Sequence, residues 1–527
     1  MEVTNRIKII YKLFLKNLLN ISQKPLYQIL GIFLLALIIR LYKLGEFPVG
    51  FHIDEVKVGW NALSILKTLR DDQGHLLPLY YNTFGDYRPT GIFYLSIPAL
   101  AIFGNTIFAV RLTSSIFGAL TVFPIYLISK QLFKSKENNL AAIFASLLLA
   151  VSPWHIETSR ATSEVVISGF FVTFSIYFAL KNKNMLLSII SIVASYTLYH
   201  SARILLPLYL ILNKKLMVFV IILTLILSLG SSSRARLSQV SIFNSENVKY
   251  ELLQSGEPKV VVYTRTLIKE YGKYFSTDFL IGESAKPYRY LTLGVGLLNY
   301  IDFILLIIGL FLLVKNKEYL IPLFLFISPI ASILTTEDAP NLHRSLYMVF
   351  FIVIIEGYAL SYLKYYKTIL TILVISLLYF LYAYFYKSDL HIPYQKNLYI
   401  DSPTFRNIGN IELATKLEQY KNEYKLIYVT NFPDNIYPWY AFLNKKDPKE
   451  FNSKSIISNS NERRYENIIF TDTKCPTDFV KDTNVLLIDS GECPTETKIK
   501  DGMKGKIIYE IKRSNGTKVY SIFATSN

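Results

Sequence analysis

Charge is scarce in this chain. Only 18% of its 527 residues are Asp, Glu, Lys or Arg, whereas 52% are apolar and the mean hydropathy is positive. Soluble domains carry about a quarter of their residues as charges, so most of this chain must sit in lipid. Nucleotide-binding signatures are missing too: the sequence has no Walker loop, no kinase signature and no nucleotide-binding glycine motif. That argues against nucleotide-driven chemistry. No small-residue cleavage site follows the first apolar run, which therefore reads as a retained span. Cysteine is almost absent, and the two present, Cys475 and Cys493, both fall close to the C-terminus. Neither soluble-type repeats nor low-complexity tracts occur.

What the chain does have is apolar runs near the roughly 20 residues that a span requires. They are Leu26–Tyr42, Phe108–Ile128, Leu140–Val151, Val165–Leu180, Leu216–Leu229, Leu291–Val314, Leu320–Leu334, Leu346–Leu363 and Ile369–Phe385, with shorter runs at Met185–Tyr199 and Ile204–Leu212. They predict a polytopic α-helical membrane protein of about eleven spans.

The net charge of +17 could suggest nucleic acid, but the lysines are placed differently. They cluster between spans, as Lys130, Lys134 and Lys136; Lys181 and Lys183; Lys214 and Lys215; Lys315 and Lys317; Lys364 and Lys367. The N-terminal arm adds Arg6, Lys8, Lys12, Lys16 and Lys24. Positive short loops mark the cytoplasmic side, and an N-terminus inside puts all of these clusters inside. A nucleic-acid groove would gather its basic residues on one soluble face, so no nucleic-acid partner is expected.

An odd number of spans places the C-terminal tail outside. The expected organisation is a membrane domain over residues 1–386 and a soluble extracytoplasmic domain over 387–527, in the plasma (cytoplasmic) membrane. In the tail LIYVT, NIIFTD, VLLIDS, GKIIYEIKR and KVYSIFA read as strands, with a helix around Tyr437–Leu443, which suggests a small α/β domain. Two cysteines in one oxidised module predict a Cys475–Cys493 disulfide.

The first outer loop, residues 44–106, is the most elaborate. It holds Asp54 and Glu55, then VKVGWNALSILKTLR, read as an amphipathic helix lying at the interface. Ile92–Phe103 is too short to span comfortably and reads as a second interfacial helix. This loop contributes Asp54, Glu55, Asp86 and Arg88; the second outer segment contributes His155, Glu157, Arg160 and Glu164. Later corners add His200, Arg203, Glu337, Asp338, His343 and Arg344. Any one of these alone is an ordinary interfacial anchor. Both signs recurring at one face in four loops point to function instead, because such groups are costly beside lipid. A carboxylate beside an apolar surface can act as a general base, and arginines contact phosphate bidentately. A lipid-linked phosphate substrate fits such a set.

The segment IIRLYKLGEFPVGFHIDEVKVGWNA resembles the start of the polyprenyl-phosphate-dependent GT-C glycosyltransferases. That superfamily includes protein O-mannosyltransferases and lipid A aminoarabinose transferases. The resemblance implies that Asp54 is the catalytic base, with Glu55 beside it in the active site. DYRPTGIFYLSIPALAIFG followed by FAVRLTSSIFGAL looks like the family's basic-Pro segment and next span, which carries a substrate role to Arg88, with Asp86 nearby. SPWHIETSRATSEVVISGFF resembles the second outer loop, where Glu164 takes an acidic position that is usually aspartate. HRSLYMVFFIVIIEGYAL is similar to the basic start of a late span, which carries phosphate contact to Arg344, next to His343.

The expected function is thus inverting transfer of a sugar from a polyprenyl-phosphate donor to a protein, lipid or glycan acceptor. Glu55, Asp86, Arg88, Arg160, Glu164, Arg203, His343 and Arg344 are the candidate substrate contacts. No cofactor is required; a divalent cation on Asp54, Glu55 and Glu164 is compatible with oxygen ligands but nothing in the spacing demands it. A lipid-linked-sugar flippase or transporter would need charge or broken helices at the midplane, and the spans are nearly free of midplane charge. A non-catalytic membrane partner subunit, with the soluble tail as its working part, is the other alternative reading, and the acids of the first loop speak against it.

Overall fold

The apolar runs fold as helices, but several end earlier than hydropathy suggests because local polar signals stop them. The computed structural model describes residues 25–526, except 84–85, 134–137, 182–183, 229–240, 293, 336–337, 387–406, 433, 458–461, 481, 501–502 and 514–515. The basic N-terminal arm, Lys134, Lys136, Lys183 and Glu337 lie outside the described residues.

The bundle opens with α1 (Pro25–Leu41) and α2 (Ile53–Thr68), then a hairpin of β1 (Tyr80–Thr83) and β2 (Asp86–Pro89). Next come α3 (Gly91–Phe103), α4 (Ile107–Leu120), α5 (Val122–Leu132), α6 (Asn138–Val151), α7 (Pro153–Arg160), α8 (Glu164–Lys181) and α9 (Met185–Leu198). Between residues 200 and 290 the longest described helices are Lys214–Ser228 and Lys259–Lys273, and they are followed by α10 (Tyr300–Lys315), α11 (Tyr347–Tyr362) and α12 (Tyr366–Tyr386). Among the described residues, Ile107–Leu132, Glu164–Lys181 and Tyr366–Tyr386 are long and apolar enough to cross a membrane. α6 and α7, bent by 51° at Ser152, add a fourth if the pair is one span, and five further apolar helices are shorter. This is a multi-pass membrane protein, yet full-length helices do not match all eleven predicted spans. The window Leu291–Val314 becomes helical only at Tyr300, where a capping box pairs the Asn299 side chain with the Asp302 N–H and the Asp302 carboxylate with the Asn299 N–H. Leu320–Leu334 breaks near Pro329 into two short helices.

α11 is the axis of the bundle, buried without interruption from Tyr347 to Leu360. It packs tightly on α6: a Cβ at Gly357 would stand 2.5 Å from the Ala145 nitrogen, so only glycine permits this crossing. Glu356 is buried inside α11, a charge-bearing residue within the spans that hydropathy passes over.

The C-terminal region forms a seven-stranded mixed sheet. After helix α13 (Asn410–Tyr420) come β3 (Ile427–Thr430), α14 (Tyr437–Leu443), α15 (Pro448–Lys454), β4 (Ser455–Ile457), β5 (Arg463–Tyr465), β6 (Ile468–Thr471), β7 (Leu486–Ser490), β8 (Gly505–Lys512) and β9 (Lys518–Thr525). The order is β4-β5-β6-β3-β7-β9-β8, with β6, β3 and β7 parallel and the outer pairs antiparallel. The five expected strands are present; β4 and β5, at three residues each, are too short to leave a periodic signal. Cys475 and Cys493 are joined by a disulfide with a Cα–Cα distance of 5.8 Å.

α2, expected as an amphipathic helix lying at the interface, is buried on most of its faces. Twelve of its 16 residues are buried, because the C-terminal module covers the face turned away from the bundle. Phe442 stands 5.7 Å from Phe51 and Phe451 5.4 Å from Trp60, centroid to centroid. A Cβ at Gly59 would meet Phe442 on one side and Val110 on the other, each at 2.8 Å.

Candidate active site

The two adjacent acids at the start of α2 point different ways, as helix geometry requires of neighbours about 100° apart. Glu55 turns inward. Its carboxylate accepts from Arg111 Nε at 2.8 Å and Nη2 at 3.0 Å, from the Thr162 N–H at 3.2 Å and from the His52 N–H at 3.0 Å. Arg111 also donates to the carbonyls of Leu44, Pro48 and Gly50. Glu55 thus closes a buried knot between α2, α4 and the turn ahead of α2, and it does not line the pocket.

Asp54 turns outward into a cavity of about 230 Å³. Sites that enclose a ligand usually measure about 300–1,000 Å³, so this one suits a head group rather than a whole lipid. Arg88 Nη1 donates to Asp54 Oδ1 at 2.8 Å, and Arg289 Nη2 lies 3.7 Å from Asp54 Oδ2. His52 Nδ1 accepts from the Asp54 N–H at 3.2 Å. Burial alone would raise the Asp54 carboxyl, but Arg88, backed by His52, Arg289 and Lys57, outweighs it and holds the group well below the usual carboxylate range. Asp54 is an anion clamped between arginines.

Arg88 reaches the pocket because its hairpin is tied down. His200 Nε2 bonds the Tyr87 carbonyl at 2.8 Å, and Arg203 Nη2 donates to Tyr80 Oη at 2.9 Å. Arg203, Glu164 and Arg344 line the same cavity, and Arg344 Nη1 donates to Thr335 Oγ1 at 2.7 Å. His343 lines it as well, stacked on Tyr290 at 4.9 Å and bonded to Ser163 Oγ at 2.9 Å. Burial, with Arg289 and Arg344, lowers the His343 imidazole to about 3, so it is neutral at physiological pH.

Of the sequence-predicted residues, Asp54, Arg88, Glu164, Arg203, His343 and Arg344 converge on one cavity. Arg160 does not. It donates to the carbonyls of Ile39, Arg40, Tyr42 and Phe47, with Tyr384 and Phe385 stacked on its guanidinium, and so clamps the end of α1. Asp86 sits at the tip of the hairpin, paired with Thr83 through the backbone, and its side chain lies outside the described part. Sequence reasoning overlooked Arg289 and Arg111. The basic-aromatic run KPYRY was a signal for Arg289, and the Val-Arg start of α4 held one for Arg111.

The carboxylate trio considered for a divalent cation does not assemble, because Arg111 and two backbone N–H groups occupy Glu55. Among the described residues no three His, Cys, Asp or Glu side chains form a group that could hold a metal.

Residues 87–233 match the family described as dolichyl-phosphate-mannose-protein mannosyltransferase. Among solved structures, the chain is similar to ArnT from Cupriavidus metallidurans bound to undecaprenyl phosphate. The identity is 10% and the TM-score 0.52, covering 94% of this chain and 97% of that one. The archaeal oligosaccharyltransferase AglB from Archaeoglobus fulgidus, in complex with an inhibitory peptide and a dolichol-phosphate, is 13% identical. Its TM-score is 0.45, with 81% of this chain and 64% of that one covered. No curated protein matches the chain. Residues 87–233 thus carry the likeness to the dolichyl-phosphate-mannose-protein mannosyltransferase family, and the chain as a whole shares the fold of ArnT.

Proposed function

We propose that this enzyme transfers a sugar from a polyprenyl-phosphate donor to an acceptor hydroxyl, with inversion, at the extracytoplasmic face of the membrane. The observation that carries the reading is one carboxylate, Asp54, set between Arg88 and Arg289 in a cavity that Arg203 and Arg344 also line. Four guanidinium groups line this cavity together with the carboxylates Asp54, Glu164 and Asp338, and they suit a phosphate that gains charge as it leaves.

In the proposed reaction the acceptor O–H gives its proton to Asp54 as its oxygen bonds the anomeric carbon. The bond from that carbon to the phosphate oxygen breaks, and the electron pair stays on the polyprenyl phosphate. Arg88 and Arg289 would stabilise that charge more in the transition state than before it. The clamp on Asp54 fits the same sequence of events. While Arg88 and Arg289 pair with Asp54, the carboxylate is a weak base; a donor phosphate that draws them away raises its basicity when the acceptor needs it. A lipid-phosphate donor also needs no nucleotide, in keeping with the absence of nucleotide motifs. ArnT, of similar fold, is bound to undecaprenyl phosphate in its crystal structure, and the same class of lipid suits this pocket. The Cys475–Cys493 disulfide and the lysines between spans support an extracytoplasmic C-terminal domain.

The test is turnover of a labelled polyprenyl-phosphate sugar by the purified full-length protein in lipid nanodiscs. Loss of transfer in both Asp54→Asn and Arg289→Met, with the fold retained, is expected; parental turnover in Asp54→Asn would exclude its role as base.

A further inference from the structure

The residues ahead of Asp54 are held by a part of the chain more than 350 positions away. The first N–H of α2, on Ile53, donates to Asn407 Oδ1 at 2.9 Å. Helix N-termini leave such groups without intrahelical partners, so whatever accepts from them fixes how the helix starts. Asn407 is buried, and its Nδ2 donates to Asp434 Oδ2 at 2.7 Å, so the amide is oriented from both ends. Two residues before Ile53, the Phe51 carbonyl accepts from Trp439 Nε1 at 2.8 Å. Phe51 and Ile53 thus bracket His52, whose ring caps the Asp54 N–H and whose own N–H is held by Glu55. Asn407, Asp434 and Trp439 all lie in the C-terminal module, and none belongs to the cavity lining.

We propose that the C-terminal module is a positioning element of the enzyme, with Asn407 the residue that sets the orientation of the segment carrying Asp54. This inference rests on Asp54 being the reacting carboxylate. Its geometric part, that Asn407 orders residues 51–57, stands apart from the chemistry.

The module has other attachments, so removing the Asn407 amide need not undock it. Trp60 and Phe51 pack on Phe451 and Phe442. Tyr437 Oη donates to Asp72 Oδ2 at 2.7 Å, and Arg463 Nη2 to the Asp72 carbonyl at 3.3 Å. The Asn407–Asp434 pair also permits an exchange of roles. In Asn407→Asp the introduced carboxylate still accepts from Ile53 but faces the Asp434 carboxylate. Adding Asp434→Asn supplies a donor from the opposite side and restores the hydrogen bond between positions 407 and 434 with its polarity reversed, while the Ile53 N–H still donates to position 407.

The experiment uses full-length protein in nanodiscs, with two readouts: hydrogen–deuterium exchange over residues 51–57, and turnover of a polyprenyl-phosphate sugar. Asn407→Ala is expected to speed exchange of the Ile53 and Asp54 amides at least tenfold. It should lower kcat about 10–100-fold, the scale of an ångström of misplacement at a reacting group, with the donor KM within about twofold of parent. Asn407→Asp should behave like Asn407→Ala or worse, and Asn407→Asp/Asp434→Asn should recover kcat to within about threefold. Unchanged exchange in Asn407→Ala, or a double variant no faster than Asn407→Asp, would overturn the proposal. If Asn407→Ala fails to fold, the comparison of the double variant with Asn407→Asp decides alone. Parental turnover by Asp54→Asn would remove the base assignment and leave the exchange result to judge Asn407.

Discussion

Two neighbouring carboxylates should fail in opposite ways when neutralised. Asp54→Asn removes an anion whose side chain is 27% exposed and whose partner Arg88 is 34% exposed. A pair open to that extent contributes about 1 kcal/mol or less to stability once solvent screening is counted. The variant should therefore melt within a few degrees of parent. Loss of a general base should cost about 10²–10⁴ in transfer rate. Glu55→Gln changes a side chain only 3% exposed, paired with an Arg111 side chain that is fully buried. The amide keeps an acceptor oxygen, but it leaves the guanidinium with no counter-charge among the carbonyls of Leu44, Pro48 and Gly50. Breaking a buried pair by removing one partner costs about 3–5 kcal/mol, a large share of the about 5–15 kcal/mol that a folded protein has in reserve. Thermal unfolding of the detergent-solubilised protein, alongside turnover of a lipid-linked sugar, separates the two cases. Asp54→Asn should be stable and inactive; Glu55→Gln should be unstable, with activity falling in step with the folded fraction. Equal stability of the two variants, or near-parental turnover in Asp54→Asn, would refute the division of roles.

Arg289→Met should lower kcat by about 10²–10³, the usual cost of removing one donor to a developing oxyanion, and a rise confined to KM would show that Arg289 acts on ground-state binding alone. The kcat/KM profile of the free enzyme should carry no acid limb from Asp54 between pH 5 and 8. Its folded value lies below the ordinary one near 4, so the anion persists above that and is lost only as pH falls through the folded value; an inflexion near pH 6 that vanishes in Asp54→Asn would contradict this. His343, at about 3, lies below its ordinary value near 6.5, so the unfolded chain takes up that proton first and stability falls as pH drops from about 6.5 towards 3. His343→Gln should flatten the slope of Tm against pH across that window. Replacing both cysteines by serine opens a loop with a sequence separation of 18, which should destabilise the C-terminal module by about 3 kcal/mol on the chain-entropy scale, read as a lower guanidinium midpoint for that transition.

The sequence alone determined the class of this protein, because hydropathy and charge deficit are summed quantities that need no contacts. Apolar runs, lysine clusters and strand periodicity are local signals, and they gave the membrane bundle and the strands β3, β6, β7, β8 and β9, while the choice of Asp54 came from the family resemblance of its flanking residues. Hydropathy could not give where helices stop, since the Asn299–Asp302 box and Pro329 end them from within apolar windows. It could not tell Asp54 from Glu55 either, for two adjacent carboxylates look alike until a helix turns them apart. Only the tertiary structure set Arg111 against Glu55, fixing it as a strut, and Arg88 and Arg289 against Asp54, leaving that acid to the cavity. The same holds for Arg160, which sequence placed among the substrate contacts and folding spends on the carbonyls that end α1. Partners 34, 56 and 235 positions from these acids (Arg88 from Asp54, Arg111 from Glu55, Arg289 from Asp54) leave no local trace. The burial of α2 beneath a module whose Asn407 lies 354 residues after Ile53 has the same cause: long-range packing selects among faces that the local sequence leaves equivalent.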